Sequence, residues 1–374
     1  MKLRQVRIVP YELPFRRPFV TAHETLAVRR GFQVWLQDDR ERWGVGEAAP
    51  LAGFGMESWE EAGRVLRHWA GALPGREVNL PASAAEASPA LGLADDAPHA
   101  PAARHGLECA LLDLAAQAAG LPLARWLHSE AAPDVVVNAT LGAQSPAAAA
   151  AQARALAAEG YSAFKIKVGV GGDDQDIARV QAVRRALGAG PRLRADANGA
   201  WSEAQALAML RRLAPLGLEY VEQPVPAADL AALARLAAQS PVPLAADEAV
   251  TSPAAAERVL AARAAQVLVL KPMALGGILP ALQVARGAFA QQVAVVLTTT
   301  LEGAFARAAA LHAAAALIGM AGVGLPLPAC GLATGYLLAA DLVAQPPQPV
   351  RGVLAVPPGA GLGLGRLHPP PDAR

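Results

Sequence analysis

The chain has 374 residues, of which 53% are hydrophobic, and its 33 basic and 32 acidic residues give a formal charge of +1. This balance argues against nucleic acid or an anionic membrane surface as a partner, since either would require a basic excess. Much of the hydrophobic content is alanine, and no run of about 18 bulky apolar residues predicts a membrane span. We expect one or two large buried cores.

The compartment is predicted from the first residues and from the cysteines. The opening residues alternate charged and apolar side chains and lack the apolar core of a secretory signal. Cys109 and Cys330 lie far apart, and the histidines follow no metal-ligand spacing. We therefore predict a reduced, cytoplasmic protein in which both cysteines are small core residues.

Residues 1–130 predict an α+β unit, because strand-like runs come first and helical patterns follow. In chain order, these strands and helices are expected at 3–11, 32–37, 43–48, 57–72 and 103–119. Ser58 and the acidic residues after it predict the start of the first helix. A stretch at 81–101, rich in alanine, proline and serine, predicts a surface loop.

From residue 131 onwards, short apolar runs alternate with helical patterns, which indicates parallel βαβ units. The runs lie at 135–140, 163–168, 192–195, 218–221, 242–245, 267–270 and 293–297, with a weaker eighth at 322–325. Eight units over about 200 residues predict an α/β fold of the (β/α)₈ type, a compact or modified TIM barrel. An open doubly wound sheet is the alternative, but no glycine fingerprint follows the first strand.

The predicted domains are therefore an amino-terminal α+β unit at 1–130 and a barrel at 131–344. The remaining segment, 345–374, is rich in proline and glycine and contains one strand-like piece at 350–356. We expect this tail to run back over the amino-terminal unit and complete it.

Charged side chains stand at the ends of five consecutive strands of the predicted barrel. They are separated by 29, 26, 25 and 24 residues, about one βα unit each: Lys167, Asp196, Glu222, Asp247 and Lys271. The carboxyl ends of barrel strands converge on one face, where active sites lie. We therefore expect these five side chains to meet in one cleft.

Lysine is rare in this chain, and three of the four lysines fall at this predicted cleft. Besides Lys2 they are Lys165, Lys167 and Lys271, while every other basic residue is arginine. Lysine can lose its proton near neutral pH and arginine cannot, so the retained lysines indicate proton chemistry. Lys165 and Lys167 share one strand face, and we predict that mutual repulsion lowers the pKa of one of them.

Three carboxylates without a cysteine or histidine predict a hard oxygen site for Mg²⁺ or Mn²⁺. They are Asp196, Glu222 and Asp247. Each carboxylate alone could instead be a helix N-cap after its strand. The common register with two flanking lysines favours the metal, which would stabilise the enediolate formed when a lysine removes a proton α to a carboxylate.

The motifs Lys-x-Lys, Asp-x-Asn, Glu-Gln-Pro, Asp-Glu and Val-Leu-Lys-Pro together resemble the muconate-lactonising-enzyme branch of the enolase superfamily. A lysine base with Mg²⁺ is the known pattern of that superfamily. The resemblance implies a capping domain over a modified barrel. It also implies Mg²⁺ ligands at the three carboxylates, acid/base residues Lys167 and Lys271 on opposite substrate faces, and a tuning role for Lys165.

Within that branch, residues 43–62 and 330–335 are similar to o-succinylbenzoate synthases, and Thr298-Thr299-Thr300 stands where those enzymes carry a serine-rich run. The similarity implies a lyase of menaquinone biosynthesis that takes a small carboxylate substrate. It would catalyse the syn dehydration of 2-succinyl-6-hydroxy-2,4-cyclohexadiene-1-carboxylate, with Lys271 charged and facing the ring. The implied substrate contacts are Asn198, Thr298 and Gly331.

Other functions stay open at this point. Leu301-Glu302-Gly303 also looks like cycloisomerases and N-acylamino acid racemases, although Glu302 could instead act on a helix dipole. A dipeptide epimerase would carry Asp-x-Asp near Gly331, and none is there. A barrel without catalytic activity that binds metal is a further class, and a homo-oligomer is possible. Arg16, Arg17 and Arg29 are candidates for binding a substrate carboxylate.

Overall fold

A three-stranded antiparallel sheet and three helices form the amino-terminal part of the chain. The computed structural model describes residues 1–20, 25–78, 99–321, 327–365 and 367–370. The strands are β1 (Leu3–Val20), β2 (Thr25–Asp38) and β3 (Trp43–Ala48), paired in the order β1-β2-β3. The helices are α1 (Trp59–Ala72), α2 (Pro101–Ala119) and α3 (Leu123–Leu127).

The first two strands are longer than predicted. The prediction ended the first strand at residue 11, but β1 continues beyond Pro10 and Pro14, which are paired with Phe32 and Val28 of β2. Proline is tolerated there because β1 is an edge strand and needs amide donors on one side only. The cap predicted for α1 is confirmed, since the Ser58 side chain accepts a hydrogen bond from the Glu61 amide.

Strand β3 packs closely on α2 because glycine residues stand where the two elements meet. A Cβ atom on Gly46 would overlap the carbonyl oxygen of Gly106, and one on Gly44 would overlap that of Ala110. The backbones of β3 and α2 therefore approach more closely than side chains would allow. Residues 81–98 of the predicted surface loop lie outside the described residues.

A seven-stranded parallel sheet with helices between its strands forms the rest of the fold. After β4 (Asp134–Val136), its strands are β5 (Ala139–Leu141), β6 (Ala163–Lys167), β7 (Arg192–Asp196), β8 (Tyr220–Glu222), β9 (Leu244–Ala246), β10 (Val267–Leu270) and β11 (Ala294–Leu297). The helices are α4 (Pro146–Ala158), α5 (Asp173–Leu187), α6 (Glu203–Leu213), α7 (Leu230–Gln239), α8 (Pro253–Ala261), α9 (Pro272–Leu275), α10 (Ile278–Ala290) and α11 (Ala304–Ala321).

Polar caps define where several of these helices begin. Ser145, Ser202, Asp229 and Ser252 each accept a hydrogen bond from an amide three residues ahead, at the starts of α4, α6, α7 and α8. Such caps satisfy amide donors that have no partner within the helix. Helix α7, for example, begins at Leu230 because Asp229 is its cap.

The sheet closes into a ring through the segment that contains Cys330 and Gly331. The Cys330 amide donates to the Val136 carbonyl at 2.8 Å, and the Gly331 amide donates to the Leu297 carbonyl at 2.8 Å. These residues therefore take the eighth position, between β11 and the chain before β5. The eighth strand predicted at 322–325 lies outside the described residues.

The run predicted at 135–140 is two strands rather than one. Strand β4 pairs antiparallel with β12 (Val353–Ala355) of the tail, and only β5 joins the barrel. The tail also reaches the amino-terminal unit, since the Leu362 amide donates to Asp113 of α2 at 2.8 Å. The tail thus contacts both parts of the chain, and the division at residues 130 and 344 stays a prediction.

By length and apolar composition, α11 is the one helix in the described part of the chain that could cross a membrane. However, 78% of that stretch is buried in the structure, and the core helix of a folded domain meets the same two criteria. The helix packs against α10 and α3. It is therefore a core helix here.

Buried carboxylates join the amino-terminal unit to the barrel at helix starts. Glu47 of β3 accepts hydrogen bonds from the amides of Gly303, at 2.5 Å, and Ala306, at 2.9 Å, at the start of α11. Glu108 of α2 accepts from the amides of Ile278 and Leu279 at the start of α10. Each carboxylate satisfies amide donors that the helix itself leaves free.

The pKa of Glu108 predicts a pH dependence of stability. Burial raises the pKa of Glu108 from 4.5 to about 8, although its two amide donors oppose the shift. Because the folded protein holds this proton more tightly, this residue's contribution to stability is fully present below about pH 4.5 and is lost as the pH rises to about 8. We expect Glu108→Gln, which keeps the acceptor oxygen, to gain on the order of 4 kcal/mol relative to wild type over that range.

Urea denaturation at pH 5, 6, 7 and 8 measures this difference, with Glu60→Gln as a control on an exposed carboxylate. Every other titrating group is common to both proteins, so the difference in unfolding free energy isolates Glu108. A difference that is constant with pH, or that falls, would contradict the prediction.

Candidate active site

The barrel places the five predicted charged residues at the carboxyl ends of neighbouring strands. Lys167, Asp196 and Glu222 are the last residues of β6, β7 and β8, and they are register partners across the sheet. Asp247 and Lys271 directly follow β9 and β10. All five therefore lie on one face of the barrel.

Two lysines of β6 bind the carboxylates of β7 and β8. The Lys165 Nζ atom lies 2.8 Å from Glu222 Oε1 and 3.0 Å from Asp196 Oδ2. The Lys167 Nζ atom lies 2.7 Å from the same Asp196 oxygen and 2.6 Å from Asn198 Oδ1. Asp196 is thus shared between the two ammonium groups, which approach it from one strand face.

Lys271 approaches from the other side of the site. Its ammonium group forms an ion pair with Asp247 and lies 4.2 Å from the ring centroid of Phe54. Phe54 ends a single turn, Ala52–Phe54, that belongs to the amino-terminal unit. This turn therefore reaches over Lys271 at the face of the barrel. Sequence reasoning singled out residues 43–62 but could not identify which side chain would reach a lysine.

The carboxylates decide the pKa of Lys165. Burial acts to lower it, but Asp196, Glu222 and Asp247 outweigh burial and raise the pKa of Lys165 well above its ordinary value. The lowering predicted for one of the two lysines therefore does not occur at Lys165, because the opposite charges around it have the larger effect.

The pKa values of two of the carboxylates, Glu222 and Asp196, shift in opposite directions. Burial and the nearby charge of Asp196 raise the pKa of Glu222 to about 7. Burial also opposes the charge of Asp196, but Lys165 and Lys167 hold the pKa of Asp196 well below its ordinary value. The two acids therefore differ because Asp196 has two cationic partners and Glu222 has one.

The donor set fits a divalent cation. Asp196, Glu222 and Asp247 are nearly fully buried carboxylates on adjacent strands, and oxygen donors of this kind suit Mg²⁺ or Mn²⁺. Among the residues that the structure describes, no three acidic, histidine or cysteine side chains already surround one point as ligands. The carboxylates are also paired with the ammonium groups of Lys165, Lys167 and Lys271.

A fourth carboxylate, which sequence reasoning missed, lies behind Lys167. Asn198 accepts from Lys167 through its oxygen and donates through Nδ2 to Glu248 Oε1 at 2.8 Å. The other oxygen, Glu248 Oε2, is buried and has no partner among the described residues. Glu248 therefore fixes the amide orientation of Asn198. Its position next to Asp247 in the Asp-Glu motif was a signal that could have identified it.

Gln223 is a second missed residue, and it holds Asp247 in place. Its side-chain oxygen accepts from the amides of Asp247, at 3.0 Å, and Ala249, at 3.2 Å. Its side-chain nitrogen donates to the Val225 carbonyl at 2.9 Å. Gln223 is fully buried, so the whole side chain acts as a link between the ends of β8 and β9. The Glu-Gln-Pro motif contained this residue.

Thr298 and Gly331, both predicted to contact substrate, also contact each other. The Thr298 hydroxyl donates to the Gly331 carbonyl at 3.0 Å, and the two residues form a backbone bridge at the seam of the ring. A Cβ atom on Gly331 would overlap Thr298 Oγ1. Glycine is therefore required here for the close approach of these two segments of the chain.

Two neighbouring polar residues, Glu302 and Arg29, form hydrogen bonds within the protein. The Glu302 carboxylate accepts from the Thr300 hydroxyl at 2.8 Å, so it binds its own loop. Arg29 is buried, and its guanidinium donates to the carbonyls of Thr300, at 3.3 Å, and Pro50, at 2.7 Å. The suggestion that Arg29 binds a substrate carboxylate is therefore wrong, because backbone carbonyls take up its donors.

The contact at the seam predicts the effect of a methyl group. We expect Gly331→Ala to force Thr298 away from its hydrogen bond and to lower the free energy of unfolding by about 1–3 kcal/mol. Urea denaturation measures the loss, and Gly142→Ala is the matched control, because a Cβ atom there would be 4.0 Å from its nearest neighbour. Equal stability of the two variants would contradict the close contact.

Two family profiles match the chain. The profile described as "Enolase C-terminal domain-like" matches residues 148–365, which is more than half of the chain, and "MenC, N-terminal domain" matches residues 3–114. These regions correspond to the barrel with part of the tail and to most of the amino-terminal unit.

Named relatives cover different shares of the chain. The o-succinylbenzoate synthase of Thermobifida fusca is 43% identical over 224 residues, which span 59% of this chain and 66% of that protein. The L-Ala-D/L-Glu epimerase of Bacillus subtilis is 33% identical over 84% of this chain and 85% of its own length. Muconate cycloisomerase 1 of Pseudomonas putida is 31% identical over 96% and 94%.

Solved structures share the whole fold. The substrate-liganded L-Ala-D/L-Glu epimerase of Bacillus subtilis aligns with a TM-score of 0.86 at 28% identity, over 98% of this chain and 99% of that one. The dipeptide epimerase of Enterococcus faecalis, solved with Mg and the dipeptide L-Leu-L-Tyr, aligns with a TM-score of 0.86 at 27% identity, over 97% and 99%. These neighbours confirm the predicted barrel with an amino-terminal capping domain, and the chain belongs to the enolase superfamily of enzymes.

Proposed function

We propose that this chain is a Mg²⁺-dependent o-succinylbenzoate synthase. It would dehydrate 2-succinyl-6-hydroxy-2,4-cyclohexadiene-1-carboxylate, a cytoplasmic step of menaquinone biosynthesis. The observation that carries the proposal is the pair of lysines, Lys167 and Lys271, on either side of three buried carboxylates. The MenC-type domain and the 43% identity to the Thermobifida fusca synthase support this substrate over others. That match spans about two thirds of the synthase, so the activity of the whole protein is part of the proposal.

Lys167 has the position of the base in this mechanism. In its neutral form, it takes the proton α to the substrate carboxylate, and its ammonium form then protonates the departing hydroxyl, which leaves as water. A syn elimination places both groups on one face of the ring, so one lysine can perform both transfers. Asn198 and Asp196 hold Lys167 Nζ at 2.6 and 2.7 Å, which fixes the direction of its donors.

Asp196, Glu222 and Asp247 would hold Mg²⁺, which when bound supplies positive charge where negative charge develops on the substrate carboxylate. Lys271 remains an ammonium group beside Asp247 and faces the ring of the substrate, as it faces Phe54 here. Lys165 keeps Asp196 and Glu222 in place. Thr298 and Gly331 would line the pocket at the seam.

Ultraviolet absorbance tests the activity directly. We expect the diene band of the cyclohexadiene carboxylate to disappear quickly with enzyme and Mg²⁺ and to persist when a chelator is added first. The chelated sample should recover activity when excess Mg²⁺ or Mn²⁺ is returned. A band that persists with saturating metal and folded protein would exclude this substrate.

A lysine-to-arginine exchange tests the base. We expect Lys167→Arg to preserve the positive charge and the fold but to lower kcat by about 10²- to 10⁴-fold, because arginine cannot release its proton. The matched control is Lys2→Arg at an exposed strand end, which should retain wild-type kcat. Unchanged turnover in Lys167→Arg would remove this lysine from the mechanism.

A racemase acting on N-succinylamino acids is the second candidate. The observation that favours it is the placement of Lys167 and Lys271 on opposite sides, as a two-base proton exchange requires. An N-succinyl-L-Arg/Lys racemase of Bacillus cereus is 27% identical over 84% of this chain. Deuterium uptake at the α-carbon of an N-succinylamino acid, lost in both Lys167→Arg and Lys271→Arg, would support it. A muconate-type cycloisomerase, as in Pseudomonas putida, would be supported by turnover of muconate.

A further inference from the structure

Two buried side chains of α5 bind the backbone on either side of Lys167. The Arg179 guanidinium donates through Nη1 to the Lys167 carbonyl at 3.0 Å. The Asp176 carboxylate accepts from the Gly169 amide at 2.6 Å. The two side chains form an ion pair at 2.6 Å, and both are almost completely buried. One ion pair thus holds the backbone of both Lys167, at the end of β6, and Gly169, two residues later.

The same pair also connects Lys167 to its neighbours. Arg179 Nε donates to the Gln144 carbonyl at 2.6 Å, which follows β5. Gly169 has a φ of +79°, and a Cβ atom there would lie 2.7 Å from the Cβ atom of Ala200 in the loop after β7. The end of β6 is therefore held from the β5 side by Arg179 and packed against the β7 side.

Helix stability alone does not account for this arrangement. An acidic residue in the first turn of a helix is favourable when it is exposed to solvent, so Asp176 did not need to be buried. Burying an ion pair costs desolvation energy that its attraction often does no more than offset. What the buried pair provides is geometry, because each charged group is bonded to backbone atoms next to Lys167.

We propose that Asp176 and Arg179 are positioning residues for proton transfer by Lys167. This inference rests on the proposed function, in which Lys167 is the base. The lysine side chain is long and flexible, so the location of its Nζ atom depends on where the backbone is anchored. Neither Asp176 nor Arg179 touches the reacting atoms, and both act through the carbonyl of Lys167 and the amide of Gly169.

The test compares Arg179→Lys with Arg184→Lys. Arg184 lies on the same helix and, like Arg179, donates to backbone carbonyls, here those of Leu216, Gly188, Pro191 and Gly217. These carbonyls follow α5 and α6, away from the end of β6. Lysine in place of either arginine loses the fixed, forked arrangement of guanidinium donors, but only the change at position 179 releases the Lys167 carbonyl.

We expect Arg179→Lys to lower kcat by roughly 10- to 100-fold, with KM changed by less than about threefold, because base and substrate are misaligned rather than lost. The kinetic isotope effect with substrate deuterated α to the carboxylate should rise, since proton removal becomes slower relative to the other steps. Arg184→Lys should keep the wild-type kcat and isotope effect, even if its melting temperature falls by as much as that of Arg179→Lys.

A loss of melting temperature in Arg179→Lys with wild-type kcat and isotope effect would show a purely structural role and overturn the inference. If Arg179→Lys does not fold, Asp176→Asn takes its place in the same comparison. Wild-type protein inactive on the cyclohexadiene carboxylate would overturn the proposed function alone. The same variants would then be compared by α-deuterium exchange on an N-succinylamino acid, where Arg179→Lys must again slow proton removal for the inference to stand.

Discussion

Charge balance at one end of the barrel is the constraint on which the rest of the site depends. Three nearly fully buried carboxylates and three lysines meet there, with Asn198 and Glu248 behind them. Each buried charge must find an opposite one, because an isolated charge in such surroundings is very unfavourable. The pairing of Lys165 with both Asp196 and Glu222, of Lys167 with Asp196, and of Lys271 with Asp247 meets that requirement. It also keeps lysines and carboxylates within reach of the same substrate.

The amino-terminal unit takes part in this site because buried hydrogen bonds dock it on the barrel. The Glu47 and Glu108 carboxylates reach the barrel at the starts of α11 and α10. Each accepts hydrogen bonds from amides that have no partner within the helix. The glycines of β3 bring its backbone against α2, which carries Glu108. These contacts place the Phe54 ring over Lys271, with 4.2 Å between the ring centroid and the Nζ atom.

The sequence predicted the register of the site well, because side chains at strand ends follow from the periodicity of the chain. The βα spacing predicted correctly that Lys167, Asp196, Glu222, Asp247 and Lys271 would share one face. It could not predict the pKa of Lys165, because that depends on distances to carboxylates from other strands. Arg29 was misread for a similar reason, since the carbonyls that bind it are distant in sequence. The split of the run at 135–140 also depended on a partner, β12, more than 200 residues away.

The ring is closed at its eighth position by single bridges, Val137 to Cys330 on one side and Thr298 to Gly331 on the other. The strands that lead to the charged residues, β6 to β10, pair with one another directly in one continuous parallel run. The seam therefore lies outside the directly paired run from β6 to β10. Under the proposed function, the substrate contacts Thr298 and Gly331 would thus stand apart from the strands β6 to β10 that lead to the charged residues. This separation is consistent with a single fold that serves a synthase, an epimerase and a cycloisomerase among the relatives of this chain.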